Sequence, residues 1–151
     1  MRVGIGYDSH RFAAGRPLIL GGVEIEHERG LAGHSDADVL THAVIDALLG
    51  AAGQGDIGTL FPDDDERWRG ADSIDLLRTV VGTIRGRIEN IDATLVCQEP
   101  RLAPHRDEME RILAEATSAR VSVKATTNEG MGWIGRGEGI ACMAVASVDS
   151  E

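Results

Sequence analysis

Asp8 and His10 stand two positions apart in the stretch GYDSH, at the end of an alternating run that predicts a strand. Side chains two apart on a strand share a face, so this pair would offer a carboxylate and an imidazole to one neighbour. His42 adds a second imidazole from VLTHAVIDALLG, whose apolar spacing predicts a helix. Carboxylate and imidazole both ligate zinc, and catalytic zinc sites commonly take three protein ligands and keep a fourth position open. Asp38, His42 and Asp46 recur every four residues, one polar stripe along that helix. An aspartate beside a ligating histidine is what orients a metal-bound ring. Spacing alone leaves a second reading open, in which Asp8 and His10 end an ordinary polar strand and His42 flanks the core.

Three other stretches carry chemical potential. His34 and Ser35 fall at the predicted start of the helix, where free N–H groups and the positive dipole end favour anions; equally, Ser35 is only a cap and His34 a loop residue. Asp56, Asp63, Asp64 and Asp65 crowd one loop, suited to Mg²⁺ or ribose hydroxyls, or simply to a solvated turn. KATTNEGMGWIGRGEG (124–139) combines hydroxyls, a carboxylate, Arg136 and five glycines, a mix suited to phosphate and divalent-ion contacts. It matches neither the phosphate-loop nor the dinucleotide fingerprint. Cys97 and Cys142 lie in apolar strand-like runs without metal-ligand spacing, which predicts buried free thiols.

These residues need a scaffold, and the periodicity supplies one. Residues 2–7 read as a strand that can run on to His10, and 18–26 as two short strands about Gly21-Gly22. HERGLAGH (27–34) has loop composition. Ser35 is the expected N-cap of the main helix, with Asp38 completing a capping-box-like pair and Gly53 as the stop. A long polar loop covers 55–70, followed by a helix over 72–85, a strand over 88–97 and the connector EPRLAP. A helix over about 105–117, a strand over 120–125 and a strand over 139–148 complete the pattern. The expected fold is a single α/β (α+β) domain over 1–151, with one mainly four-stranded sheet, about three helices and a short N-terminal hairpin.

A chain of 151 residues supports one core rather than two. Its net charge of -10 excludes a nucleic-acid partner, because binding a phosphate polymer needs a basic surface. A small polyanion remains compatible where metals or a few arginines neutralise it. No apolar run approaches a membrane span and the N-terminus lacks a signal-peptide layout, so a cytoplasmic, bacterial protein is expected.

Taken together, GYDSHRF, GHSDADVLTHAVIDALLGAAGQGDIGTLFPDDD, EPRLAPH and KATTNEGMGWIGRGEGIACMAV resemble the 2-C-methyl-D-erythritol 2,4-cyclodiphosphate synthases of the non-mevalonate isoprenoid pathway. The segments span nearly the whole chain in family order. The resemblance implies zinc on Asp8, His10 and His42, and a second divalent ion, Mg²⁺ or Mn²⁺, on Glu129. It implies that His34 and Thr127 steady the transferring phosphate, with Ser35 beside them. Asp56, Ile57 and Gly58 correspond to ribose contacts, and Phe61, Pro62, Asp63, Asp64 and Asp65 to a loop around the methylerythritol phosphate. Cys97, Gln98, Glu99, Pro100, Arg101, Leu102 and Ala103 correspond to a mainly backbone pocket for cytosine, closed by Ala125, Thr126 and Asn128.

The implied reaction converts 4-diphosphocytidyl-2-C-methyl-D-erythritol 2-phosphate to the cyclic diphosphate plus CMP by intramolecular phosphoryl transfer. The implied assembly is a homotrimer with active sites between subunits. Its central cavity would hold an isoprenyl diphosphate against Tyr7, Trp133 and Arg136. Arg101 and Asn128 depart from the family's usual lysine and threonine, which bears on the nucleotide pocket rather than the chemistry. Two other functions share some of these residues: a zinc phosphohydrolase acting on nucleotide diphosphates, and a non-catalytic binding module with structural zinc.

Overall fold

Residues Arg2–Ala13 form one long strand, β1, in which Gly4 and Gly6 are buried while Val3, Ile5 and Tyr7 face outward. The computed structural model describes residues 1–149. After β1 come the short strands β2 (Leu18–Leu20), β3 (Val23–Ile25) and β4 (Gly30–Leu31). They are followed by α1 (Val39–Ala52), the one-turn α2 (Ile57–Leu60) and α3 (Ser73–Val81). The remainder is β5 (Arg87–Val96), α4 (Arg106–Thr117), β6 (Arg120–Thr126), the one-turn α5 (Gly132–Gly135) and β7 (Gly139–Asp149).

The main sheet has the order β4-β1-β7-β5-β6. β7 pairs antiparallel with β1 on one side and β5 on the other, and β5 pairs parallel with β6 through the α4 crossover. One core joins α1, α3 and α4 to the inner face, with Leu40, Leu48, Leu77, Ile91, Leu95, Met109 and Leu113 fully buried. Close packing explains the two glycines of β1. A Cβ on Gly6 would fall 1.9 Å from the Ala43 carbonyl oxygen, and one on Gly4 2.0 Å from that of Ala47. The backbone of α1 therefore lies directly on the strand, and the apolar residues of β1 are left on the outer face with Met143 and Val145 of β7.

The four long strands, three main helices and the β2–β3 hairpin agree with expectation, and three local features differ. Gly30–Leu31, expected as loop, pairs with Ala13 and Phe12 as a fifth, edge strand. The helix over 72–85 stops at Val81. Helix α1 starts at Val39 because Ala37 takes a left-handed φ of 58°, which interrupts any helix begun at Ser35. Its N-cap is Asp38 rather than Ser35, and no Ser35–Asp38 capping box forms.

Asp38 is fully buried and accepts from the N–H and Oγ–H of Thr41 and from the N–H groups of Gly21 and Gly22 at 2.8–3.0 Å. It thus ties the helix start to the hairpin turn. Burial pushes its carboxyl above the usual range against the pull of those donors. Asp38→Ala strands four donors in the interior, and urea unfolding is expected to show a loss of about 3–5 kcal/mol. An unchanged midpoint would refute this account of the helix start.

Candidate metal centre and active-site pocket

The alternation that buries Gly4 and Gly6 continues to Asp8 and His10, so both turn toward α1. His42 lies in the first turn of α1, next to Ala43, whose carbonyl lies against Gly6. The close approach of helix and strand thereby brings His42 onto the pair. Asp8 Oδ2 lies 2.8 Å from His10 Nε2 and 3.2 Å from His42 Nδ1, and the two nitrogens are 3.3 Å apart. Ligands about 2.0–2.1 Å from a tetrahedral zinc ion stand roughly 3.3 Å from one another. Donor types and spacing both fit a divalent ion, and this trio forms a potential metal site.

Hydrogen bonds on the far sides of the rings set their roles. His10 Nδ1–H donates to the Ala32 carbonyl at 2.8 Å, which leaves the Nε2 lone pair facing Asp8. His42 Nε2 meets Ser73 Oγ at 2.8 Å and Ser35 Oγ at 3.2 Å, while Nδ1 faces the cluster. Burial raises the Asp8 carboxyl pKa, but hydrogen bonds and charge from His10 and His42 outweigh it and leave the net shift downward. For His10 burial works downward, and Asp8 more than reverses it. The expected aspartate stripe does not serve His42: Asp38 is committed to the hairpin, and Asp46 accepts from the Ile57 N–H at 2.8 Å. Two serines take that place.

The trio floors a pocket of about 430 Å³. His34, Ser35, Ile57, Gly58, Phe61, Pro62, Asp63 and Asp64 line it, as do Trp68 and Leu76, which sequence reasoning missed. Trp68 is one of two aromatics in its polar loop, packed edge-on against the other, Phe61, at 4.8 Å, and Leu76 lies on the buried side of α3. Those were the available signals. Asp65 stands outside the lining, accepting at its backbone oxygen from His34 Nε2–H at 2.8 Å and pairing with Arg67. Asp56 caps α2 by accepting from Thr59. His34 and Ser35 do not stand at a helix start as expected, because α1 begins at Val39 with the Asp38 carboxylate across its first amides.

A separate recess of about 240 Å³ is lined by Cys97, Gln98, Pro100, Arg101, Leu102, Ala103, Ala125, Thr126 and Thr127. Asp8 is aligned across the sheet with Cys142, Leu95 and Ala125, so three strand spacings, roughly 14 Å, separate the two groups. Glu99, Asn128, Glu129 and Arg136 line neither pocket. Asn128 Nδ2 donates to the Met131 carbonyl, Glu129 takes a left-handed φ of 53° with its N–H on Thr127 Oγ1, and Arg136 pairs with Glu138. Trp133 lines a third recess with Ser9, His10, Arg11 and Glu138. Burial pushes the Cys97 thiol up to about 12 and that of Cys142 upward as well, so both stay protonated.

The family model of the YgbB family matches residues 1–149. The chain belongs to the YgbB family. A 2-C-methyl-D-erythritol 2,4-cyclodiphosphate synthase of Salinibacter ruber is 56% identical over 156 residues, covering 99% of both chains. Among solved structures, a 2-C-methyl-D-erythritol-2,4-cyclodiphosphate synthase in its CDP-bound form superposes with a TM-score of 0.89 at 37% identity, covering 98% of this chain and 100% of that one. The bifunctional IspDF of Campylobacter jejuni superposes with a TM-score of 0.91 at 42% identity, this YgbB-family chain spanning 41% of that longer protein.

Proposed function

We propose that the chain is a 2-C-methyl-D-erythritol 2,4-cyclodiphosphate synthase of the non-mevalonate pathway, acting in the cytoplasm. The observation that carries the reading is the Asp8, His10 and His42 trio, with its ligand atoms turned toward one another, in the lining of a pocket in a chain of this family. Asp8, His10 and His42 hold zinc, and Glu129 contributes to a second site for Mg²⁺ or Mn²⁺. A single carboxylate suffices there, because Mg²⁺ takes much of its coordination from substrate phosphates and water. Bound divalent ions supply Lewis-acid charge neutralisation to a polyanionic substrate in a chain of net charge -10.

The chain's own residues do the positioning. His34 and Ser35 line the metal pocket, where the transferring phosphate sits. Thr127, in the separate recess of each chain, acts on the same group from a neighbouring subunit. Asp56, Ile57 and Gly58 meet the ribose, and Phe61, Pro62, Asp63, Asp64 and Asp65 enclose the methylerythritol phosphate. The cytosine lies in the recess from Cys97 to Ala103, including Gln98, Glu99, Pro100, Arg101 and Leu102, with Ala125, Thr126 and Asn128 beside it. The nucleophile in this reading is the substrate's own 2-phosphate oxygen. It forms a bond to the β-phosphorus as the bond from that phosphorus to the CMP oxygen breaks. Fixing both ends of the substrate removes much of the entropic cost of ring closure.

Metal and cytosine groups three strands apart on one chain support completion of each site by a neighbouring subunit, in a homotrimer. The outward Val3, Ile5, Tyr7, Met143 and Val145 supply an apolar face for that assembly. Within the trimer an isoprenyl diphosphate occupies the central cavity against Tyr7, Trp133 and Arg136. Titration calorimetry is expected to show saturable binding of geranyl or farnesyl diphosphate that Arg136→Ala weakens. Heats equal to dilution would remove this ligand.

The test of the function is a phosphorus NMR time course with the zinc-loaded protein, Mg²⁺ and the cytidylylated 2-phosphate substrate. A cyclic diphosphate should appear in step with CMP. An uncyclised diphosphate product would instead establish a phosphohydrolase, and an unchanged spectrum with substrate bound would establish a binding module.

A further inference from the structure

We infer that Asp36 is a positioning residue for His42, acting through Ser73 to fix the imidazole tautomer that leaves Nδ1 free for a metal ion. The inference rests on the metal-holding role proposed above for Asp8, His10 and His42. Ser73 is fully buried at the start of α3, and its hydroxyl has neighbours on two sides. On one side it contacts Asp36 Oδ1; on the other, His42 Nε2 lies 2.8 Å away. A serine hydroxyl has one proton to donate. The carboxylate is the stronger acceptor, because hydrogen bonds to an ionised group are about twice as strong as neutral ones. The Ser73 proton therefore goes to Asp36, and the Ser73 oxygen accepts from His42 Nε2–H. A neutral imidazole protonated at Nε2 keeps its lone pair on Nδ1, the atom 3.2 Å from Asp8 Oδ2.

Without the carboxylate, Ser73 could donate to His42 as readily as accept from it. The opposite tautomer would then place a hydrogen on Nδ1, where the metal must bind. Asp36 is itself held firmly. Its Oδ2 accepts from the Ser73 N–H at 3.0 Å and its Oδ1 from the Asp38 N–H at 3.1 Å, while its own N–H donates to the Ala71 carbonyl at 3.1 Å. Ser35 Oγ accepts from the Ala37 N–H and lies 3.2 Å from His42 Nε2, farther than Ser73 Oγ at 2.8 Å, so Ser73 is the nearer partner of that nitrogen. The loop before α1 and the start of α3 are thereby joined into one device that sets a ring on α1.

Asp36→Asn is the decisive substitution because it keeps shape while exchanging an acceptor for a donor. Its amide group must oppose either the Ser73 N–H, or the Ser73 hydroxyl together with the Asp38 N–H. In the second arrangement the hydroxyl is turned onto His42. Zinc affinity, measured by competition with a chromophoric chelator, is expected to fall about 10–100-fold in Asp36→Asn and in Ser73→Ala, the range found for partners of metal-bound histidines. Asp72→Asn serves as control, since Asp72 caps α3 through the Ile74 N–H and has no hydrogen bond to His42.

Nitrogen NMR of histidine-labelled, metal-free protein gives the second readout. Ser73 favours a proton on Nε2 and Asp8, 3.2 Å away, one on Nδ1. Asp36→Asn should shift the balance from Nε2–H toward Nδ1–H relative to the wild type. Equal zinc affinity in wild type and Asp36→Asn, or the same tautomer in both, overturns the inference. Should Asp36→Asn fail to melt cooperatively, Ser73→Ala decides, and a zinc affinity equal to the wild type overturns the inference. A wild type that binds no zinc strikes at the metal reading itself, which is a different failure.

Discussion

His42→Ala is expected to lose both its zinc and its cyclase activity while remaining folded. His42 is the one ligand supplied by α1, and it closes a triangle whose other corners come from β1. Its removal leaves Asp8 and His10, two neighbouring ligands on a strand that cannot by themselves fix a tetrahedral ion. A Lewis-acid metal contributes several kcal/mol to phosphoryl transfer, and a loss of roughly 4 kcal/mol corresponds to about a thousandfold in rate. Zinc content by atomic emission should fall well below stoichiometry, and CMP release should slow by at least that factor. The fold should survive, because the alanine removes only a ring at the pocket floor and leaves the apolar stripe of α1 intact. A variant that keeps full zinc and half its turnover would sink the assignment of the metal centre.

The second large effect belongs to a residue with no side chain. Gly6→Ala places a methyl group 1.9 Å from the Ala43 carbonyl oxygen, against helix backbone rather than a movable side chain. Relief requires α1 to back away from β1, opening the core beneath it. Overpacking ordinarily costs 1–3 kcal/mol, and a backbone collision of this kind belongs at or beyond the top of that range, so a loss on the order of 3–5 kcal/mol is expected from urea unfolding. The same retreat would carry His42 off the strand, so any folded Gly6→Ala protein should also bind zinc more weakly than the wild type. Wild-type stability in this variant would mean that the strand–helix distance is not set here.

Much of the architecture was legible because amphipathic periods are local. The strand over 88–97, the helix over 105–117 and the hairpin about Gly21-Gly22 follow from runs whose faces are decided by their own spacing. The orientation of β1 was harder to read. Val3, Ile5 and Tyr7 alternate as buried residues usually do, yet they face outward, because contact with α1 requires the absence of a Cβ at Gly4 and Gly6. Ser35 has the right chemistry for an N-cap, but the left-handed turn at Ala37 hands that position to Asp38. The pairing of Gly30–Leu31 with β1 depends on residues 17–19 positions away and has no local signature. Asp8, His10 and His42 were candidates by ligand chemistry and spacing, which left an ordinary polar strand end open, and the family resemblance carried the choice. Ser73 and Asp36 were not, since a serine at a helix start and an aspartate in a loop are ordinary until the fold sets them beside the second nitrogen of His42.

The sheet order also dictates when, during synthesis, the strand carrying Asp8 and His10 becomes a finished part of the protein. Among the described strands β1 has only the two-residue β4 as a partner until β7 emerges, and β7 spans Gly139–Asp149. The pair β5–β6 waits on the same strand, because β7 lies between it and β1. Pairings so distant along the chain form late, after a long loop has been closed. On the ribosome the two halves of the sheet thus remain separate until the last strand has cleared the exit tunnel. The folding of this chain is closer to the setting of a keystone than to growth from one end, and its nascent forms would carry unpaired edges that a chaperone can recognise.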